Sequence, residues 1–437
     1  MVLSLAFGAT FADEAQEIQL SLPEALLRAF SSSLPLRIAE NEERRAALQG
    51  VTASSYNLPE VSIFSSFTYL EPRPGVKKDL LPFAPPLELN IGRNDNFSHG
   101  LQARYMLYDG GRREHMNRAA SLMIEAAKWS LVDKKRTVEY EVRRAFLMTL
   151  FAHEMESLAG ENLERTRVRL SQAETAFSSG TIPRVDLLRA KSEEADASAS
   201  LDDSRLNHAS IRRQLGLLLD LTGPITPAGS LETAALNLDS VDTAALRSQN
   251  PEFARLAAAS LSSQAQQENA QSRAADLMPT VTMGVRAAQT NPYRGEVRYG
   301  PDLNAFVQIN YPIFDAGRGR ASYEAAKLEA ENMALQTAEA ERTMRAYYAQ
   351  LLDKIESLKR TLAARRTGID RARASREAAH AAWKSGAIDL ARMVDADTAL
   401  TKSQVDYYRT VAELYEGLAD WERWSGVTSG AFALFDK

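Results

Sequence analysis

Residues 105–112 read YMLYDGGR and residues 311–318 read YPIFDAGR. The second glycines of these phrases are 317 − 111 = 206 positions apart, and FSSGTIPRVDLL from Phe177 is answered by WKSGAIDLARMV from Trp383 at the same offset, 386 − 180 = 206. Two phrases, in order, at one spacing identify an internal duplication. This constrains the fold more than any other feature, because whatever one copy becomes, the other must nearly repeat. At 437 residues the chain would suit two or three ordinary domains. We read instead two tandem repeats, 13–223 and 224–426, between an N-terminal piece, 1–12, and an ending, 427–437, too short to be more than a tail.

Within each repeat the hydrophobic period changes. Leu22–Phe30 and Leu36–Ser55 look helical, the first ended by a serine run and the second by Pro59. In FSHGLQARYMLY, however, Phe97, His99, Leu101, Ala103, Tyr105 and Leu107 alternate with Ser98, Gly100, Gln102, Arg104 and Met106, the mark of a strand with unlike faces. Its partner is VSIFSSFTYL from Val61, and the proline-, glycine- and charge-rich stretch between them predicts a long exposed hairpin loop. The second repeat does the same with TVTMGVRAA from Thr280, the loop QTNPYRGEVRYGPD and the return strand LNAFVQINYPI. The expected strands are thus about 60–70, 97–108, 280–289 and 303–313. Pro59 to Asp109 spans 109 − 59 = 50 positions and Pro279 to Asp315 spans 315 − 279 = 36, so the first hairpin is longer by 14, an insertion of the kind loop tips tolerate.

After DGGR and DAGR come long helical stretches without proline, expected at about 112–178 and 318–384. Some 65 residues at 1.5 Å each make a rod of roughly 100 Å. In the second rod Met344, Tyr348, Leu351, Ile355, Leu358 and Leu362 are spaced 4, 3, 4, 3, 4, a coiled-coil seam. Each rod ends at a glycine, Gly180 or Gly386, and a second helix follows at about 183–219 or 390–424. A glycine at the C-terminal end, with Pro183 early in the next helix, gives a tight antiparallel reversal.

The remaining composition mainly excludes. A net charge of −5, with neither half strongly basic, gives no electrostatic footprint for nucleic acid. The absence of cysteine removes disulfides, thiolate metal sites, cysteine nucleophiles and an N-terminal cysteine lipid anchor. MVLSLAFGATFADEAQ resembles the end of a secretory signal peptide lacking its basic n-region. No run of about 18 uncharged apolar residues follows, so any membrane crossing must be made by strands. No GxxxxGK[ST] is present, and Gly317 and Gly319 in DAGRGR lack the third glycine of a dinucleotide loop and read as a plain strand-to-helix turn. His99, His115, His153, His208 and His380 are far apart in the chain, with no HExxH, and are expected to be solvated or packed. Neither an enzyme nor a cofactor is indicated.

Taken together, the order of elements resembles the TolC-like outer-membrane efflux protein family, from about Ile18 to Gly426. The phrases that carry the resemblance are LPEALLRAFSSSLP with its weaker echo DTAALRSQNPEF, the two strand-to-helix phrases, and the tips SGTIPRVDLLRA and SGAIDLARMVDA, the last continuing through DTALTKSQVDYYRTVAELYEGLADWERWSG. The resemblance implies a mainly α fold with a membrane β part: two tandem repeats, each a β-hairpin plus long antiparallel coiled-coil helices, assembling as a homotrimer whose twelve-stranded β-barrel continues into an α-helical periplasmic tunnel. It further implies a passive outer-membrane duct, set in outer-membrane lipid and recruited by an inner-membrane pump through a periplasmic adaptor, in tripartite efflux or type I secretion. Elementary physics supports one part independently: four strands per chain leave open edges that lipid cannot satisfy, so the sheet must close through other subunits. The alternative is an exported coiled-coil scaffold without a pore, whose outward strand face need not stay apolar; Ser65, Ser66 and His99 count in its favour.

In that family the glycine tips lie at the periplasmic mouth, where inward carboxylates and polar links hold the tunnel shut. By position relative to the tip glycines, Asp186 and Asp395 match its acidic positions; the alternative is that each pairs with Arg184, Arg189 or Arg392 on its own helix face. The second tip departs from the family pattern, with Ile388 in place of a basic latch residue, Trp383 in place of a tyrosine and Arg392 in place of a further aspartate. This suggests a different latch, with Arg392 reaching an acid across the subunit boundary and Arg184 beside Asp186. Gly180, Thr181, Gly386 and Ala387 are small enough for an adaptor hairpin to dock on, although the reversal alone also explains the glycines. Phe67, Tyr69, Phe97, Tyr105 and Tyr311 are candidates for membrane-interface aromatic belts, against the general preference of aromatics for strands.

Overall fold

The computed structural model describes residues 18–71, 75–78, 87–90, 94–223, 225–291 and 298–436. The expected signal-peptide remnant lies outside them, as does most of each strand-connecting loop. In chain order the elements are β1 (Ile18–Leu20), α1 (Leu22–Ser32), α2 (Leu34–Ser55), β2 (Glu60–Tyr69), β3 (Gly75–Lys78), β4 (Leu87–Asn90), β5 (Asp95–Tyr108), α3 (Arg112–Ser178) and α4 (Arg184–Leu219). They continue with β6 (Ile225–Pro227), α5 (Leu231–Asn237), α6 (Thr243–Ser248), α7 (Ala254–Ala274), β7 (Thr280–Asn291), β8 (Gly300–Asn310), α8 (Arg318–Lys384) and α9 (Leu390–Ser425). The long helices restate the duplication: α3 and α8 are each 67 residues and α4 and α9 each 36, with starts 318 − 112 = 206 and 390 − 184 = 206 apart.

The repeated D-G-G-R and D-A-G-R phrase is a helix start. Asp109 Oδ2 accepts the Arg113 backbone N–H at 3.1 Å and its Nε at 2.8 Å, and the Asp315 carboxylate accepts the N–H groups of Gly317 and Gly319 at 2.9 and 2.7 Å. The aspartate thus satisfies amide groups that the first helical turn leaves without a partner. Gly110 and Gly111, like Ala316 and Gly317, are left-handed, which lets the chain leave a strand and enter a helix within two residues.

The chain packs as two units. One gathers Asn41–Trp129 and Leu256–Ala340, the other Met1–Glu40, Ser130–Arg255 and Glu341–Lys437, and α3 and α8 contribute to both. The first unit holds an antiparallel sheet in the order β2-β5-β7-β8. Its register places Phe67 opposite Phe97, Ile63 opposite Leu101, Tyr105 opposite Met283 and Met283 opposite Val307. Alternation then gives two unlike faces. One carries Val61, Ile63, Leu101, Val285, Leu303, Val307 and Ile309, all exposed. The other carries serine, threonine, asparagine and glutamine with Arg104 and Arg286. β8 stops at Asn310, short of the expected 313, since Pro312 has no N–H for the ladder.

In the second unit the seam expected along α8 is inward: Tyr348, Leu351, Ile355 and Leu362 are buried. The parallel pairing of β1 with β6, the β3–β4 hairpin inside the first loop, and helix α5 have no counterpart in the sequence reading, whereas α6 lies within the echo DTAALRSQNPEF. The ending packs onto the helices. Ala431–Asp436 forms a 3₁₀ turn whose Phe432 and Phe435 are buried, with Phe435 5.8 Å from the Phe146 ring and 5.7 Å from that of Tyr415. Tyr415, itself fully buried, donates its hydroxyl hydrogen to the Ala234 carbonyl at 2.9 Å. The ending is part of the core, because two aromatics in six residues bury enough apolar surface to order it.

Candidate functional site

Both helical hairpins reverse through the same hydrogen-bond pair. Thr181 N–H donates to the Ala176 carbonyl at 2.9 Å and Gly180 N–H to Phe177 at 3.0 Å, while Ala387 N–H donates to Ala382 at 2.8 Å and Gly386 N–H to Trp383 at 2.9 Å. With φ of 73° at both glycines, each is a Schellman ending that requires the left-handed residue. No side chain lies within 4 Å of where a Cβ would stand on either glycine. The restart differs between them: Pro183 occupies the N-cap of α4, whereas Asp389 caps α9 by accepting the Arg392 N–H at 3.0 Å.

Asp186 lies in the first turn of α4, half-buried, and Arg184 and Thr181 are exposed. Arg392 and Asp395 are exposed on α9. Among the described residues neither Asp186 nor Asp395 forms an ion pair, and Arg189 pairs with Glu193 instead, at 3.1 Å. The simple same-helix pairing considered for these carboxylates is therefore not what this conformation adopts.

The carboxylate that is engaged sits two residues further on. Asp397, with 2% of its side chain exposed, accepts from Arg169 Nη1 of α3 at 3.0 Å and Arg376 Nε of α8 at 2.9 Å, and lies 3.1 Å from His380 Nε2. Beside it Arg165 Nη2 donates to Thr401 Oγ1 at 3.2 Å. Arg169 stands 180 − 169 = 11 residues before its tip glycine and Asp397 stands 397 − 386 = 11 after its own, about 16 Å up each helix by the rise per residue. One buried carboxylate therefore ties the two hairpins together near their tips. Helical spacing is the signal that finds it: Met393, Asp397 and Leu400 share a buried stripe that Asp395 is off.

Two further placements concern the sheet and the histidines. Phe67, Tyr69, Phe97 and Tyr105 fall on the apolar face by parity with the register, and Tyr311 directly follows the end of β8. They form two levels, with Phe67 and Phe97 in ring contact at 4.8 Å near the loop end and Tyr105 and its repeat counterpart Tyr311 near the helix end. Eight strand residues, about 26 Å, separate Phe97 from Tyr105. Ser65 and His99 are direct partners next to Gln289, a polar row close to the loop-end aromatics, while Ser66 points to the polar face. His153 and His208, distant in the chain, meet with ring centroids 5.4 Å apart, and His208 Nδ1 lies 2.7 Å from Glu156 Oε2. Among the described residues no group of three metal-ligating side chains is assembled, and no helix is long and apolar enough to cross a membrane.

Comparison with known proteins gives one consistent outcome. The outer membrane efflux protein BepC of Brucella suis is 21% identical over 271 residues, a match that spans 62% of this chain and 59% of BepC. The crystal structure of the outer membrane protein VceC from Vibrio cholerae superposes with a TM-score of 0.76 at 14% identity, covering 93% of this chain and 96% of VceC. A membrane protein from Pseudomonas aeruginosa gives 0.77 at 17% identity, with 94% and 91% covered. The outer membrane efflux protein family matches residues 28–219 and 245–416, one span in each repeat. By that match the chain belongs to the outer membrane efflux protein family.

Proposed function

We propose that this outer-membrane protein is the exit duct of a tripartite efflux or type I secretion system: a homotrimer whose four strands per chain close a twelve-stranded barrel, with its helices continuing as a periplasmic tunnel. The observation that carries this is the exposed apolar face shared by all four strands, about as tall between its aromatic levels as a bilayer's apolar band. A soluble scaffold has no reason to expose such a face on every strand. The duct itself does no chemistry; a periplasmic adaptor docks at Gly180, Thr181, Gly386 and Ala387, and an inner-membrane pump supplies the energy.

In this reading Asp186 and Asp395 ring the periplasmic mouth, where clustered carboxylates favour cations, and Arg184 and Arg392 answer them across subunit boundaries. Purified protein in a planar bilayer is expected to give small, cation-selective steps, with selectivity read from the reversal potential. Failure to insert would defeat the channel reading. Arg392→Glu is expected to raise the resting conductance several-fold by turning an attraction across the boundary into a repulsion; an unchanged conductance removes Arg392 from the latch.

A further inference from the structure

The apolar face of the sheet is altered where the first long helix begins. Between Met106 and Tyr108 the pairing of β5 with β7 slips, so that Tyr108 stands opposite Val281 where even pairing would put Leu107. Val281 shares its face with Met283 and Val285, so the slip turns Tyr108 to the apolar side, where alternation alone would have sent it to the polar one. Leu107 and Tyr108 are each 47% exposed. Beside them lies a pocket of about 570 Å³, lined on the strand side by Tyr105, Leu107 and Tyr108 and on the helix side by Arg113, Glu114 and Arg118. Because Tyr105 belongs to the apolar face, the pocket opens on the side of the sheet that meets lipid in the barrel reading, at the level where the strands leave the bilayer.

The charges of this pocket balance, and one pair of them is loosely held. Arg113 is fixed: its Nε donates to Asp109 Oδ2 at 2.8 Å, its Nη1 donates to the Tyr56 carbonyl at 3.2 Å, and its guanidinium carbon lies 5.8 Å from the Tyr105 ring centroid. Among the described residues Arg118 pairs with Glu114 alone, one turn back on the same helix, and both side chains are more than half exposed. An exposed pair of this kind contributes little and opens readily. The helix start requires neither arginine. The second repeat begins α8 with the same aspartate, yet has Gly319 and Glu324 at the positions of Arg113 and Arg118, with 113 + 206 = 319 and 118 + 206 = 324. The turn that both copies make therefore does not account for them. With Asp109 and Glu114 against Arg113 and Arg118, a simple anion finds no surplus positive charge and a simple cation no surplus negative one. A group bearing both signs can replace the loose Arg118–Glu114 pair with two pairs of its own.

We infer that this pocket seats a phospholipid of the periplasmic leaflet whose headgroup carries a phosphate and a primary amine. The phosphate lies on Arg118 with Arg113 behind it, the ammonium lies on Glu114, and the acyl chains run up the apolar face past Leu107 and Tyr105. A guanidinium fork matches phosphate oxygens, and a primary ammonium donates to a carboxylate the hydrogen bonds that a trimethylated one lacks. Tyr105 and the re-aimed Tyr108 stand at the depth where a ring with one polar end is favoured. The inference rests on the barrel reading and adds to it one lipid site per chain, in the first repeat only.

The test is native mass spectrometry of the delipidated, detergent-purified protein, titrated with phosphatidylethanolamine, phosphatidylcholine or phosphatidylglycerol in mixed micelles. The ethanolamine lipid is expected to bind once per chain and about tenfold more tightly than either of the others. Arg118→Ala should weaken it about tenfold, Glu114→Ala should remove its advantage over the choline lipid, and Glu324→Ala, the control in the second repeat, should change nothing; all three positions are exposed, and an unchanged oligomer mass and circular dichroism spectrum show that the variants fold. Equal binding of all three lipids, indifferent to Arg118 and Glu114, overturns the site and leaves the barrel standing. Preference for the choline or glycerol lipid overturns the amine assignment. An oligomer that takes up no lipid also overturns the site, whose cover is then the neighbouring chain. A protein that stays soluble and monomeric without detergent overturns the barrel reading as well.

Discussion

Asp397→Ala should be among the most damaging single substitutions in the helical part of this protein. It removes a carboxylate with 2% of its side chain exposed and leaves Arg169, itself 8% exposed, with its charge buried and unanswered. Breaking a buried pair from one side costs about 3–5 kcal/mol. Arg169 is held there by its neighbours, and among the described residues its Nε already has no hydrogen-bond partner, so it has little else to turn to. The same change unties the α3–α4 hairpin from α8 and α9 near their tips, so resting conductance should rise together with the loss of stability. Asp397→Asn keeps the shape and some of the hydrogen bonds and should cost less. Asp395→Asn, two residues away and exposed, should leave denaturant unfolding followed by circular dichroism unchanged. A cost below about 1 kcal/mol for Asp397→Ala would show that the hub does not hold the hairpins. If the penalty comes from the orphaned arginine, replacing Arg169 and Asp397 together with apolar residues should recover much of it.

Phe435→Ala should cost a comparable amount, about 3–5 kcal/mol, at a position only two residues before the last. Its ring meets Phe146, Tyr415 and Phe432, and a Cβ on Gly229 would touch it at 3.5 Å, so its removal opens a cavity among rigid aromatic and helical neighbours. Deleting residues after Gly430 should do more. It removes Phe432 as well, and with it the Ala431 carbonyl that accepts from Asn237 Nδ2 at 3.1 Å. Both variants are read in the same denaturant titration, and a full-length midpoint after deletion would contradict the packing described for this segment.

What could be read from the sequence depended on how far each signal extends. The tandem repeats and the alternation of strands with very long helices were legible because the patterns run for tens of residues and occur twice, so that local accidents average out. The strand-to-helix phrases were legible for a more local reason, since aspartate, left-handed residue and helix start sit within five positions. Short and non-local features were not legible. β1 and β6 are three residues each and carry no period. Length alone makes the ending a tail, although its two phenylalanines mark an apolar surface that needs cover. Composition alone counts Ser66 against a lipid-facing surface, yet strand parity puts it on the opposite face from Ser65. Distance from a tip glycine points to Asp395, whereas the helix face shared with Met393 and Leu400 points to Asp397. His153 and His208 meet only because two antiparallel helices bring them level.

The equal lengths of α3 and α8, and of α4 and α9, have a consequence for how such a gene can change. Adding one residue to a 67-residue helix would turn everything beyond it by about 100°, carrying its buried stripe into water along the rest of its length. The two copies have drifted widely in side chains and have gained or lost 14 residues between the strands, yet their helices have not slipped by one position. Insertions and deletions are therefore confined to the hairpin loops and the short joining segments, and helix length is an inherited dimension that substitution leaves untouched.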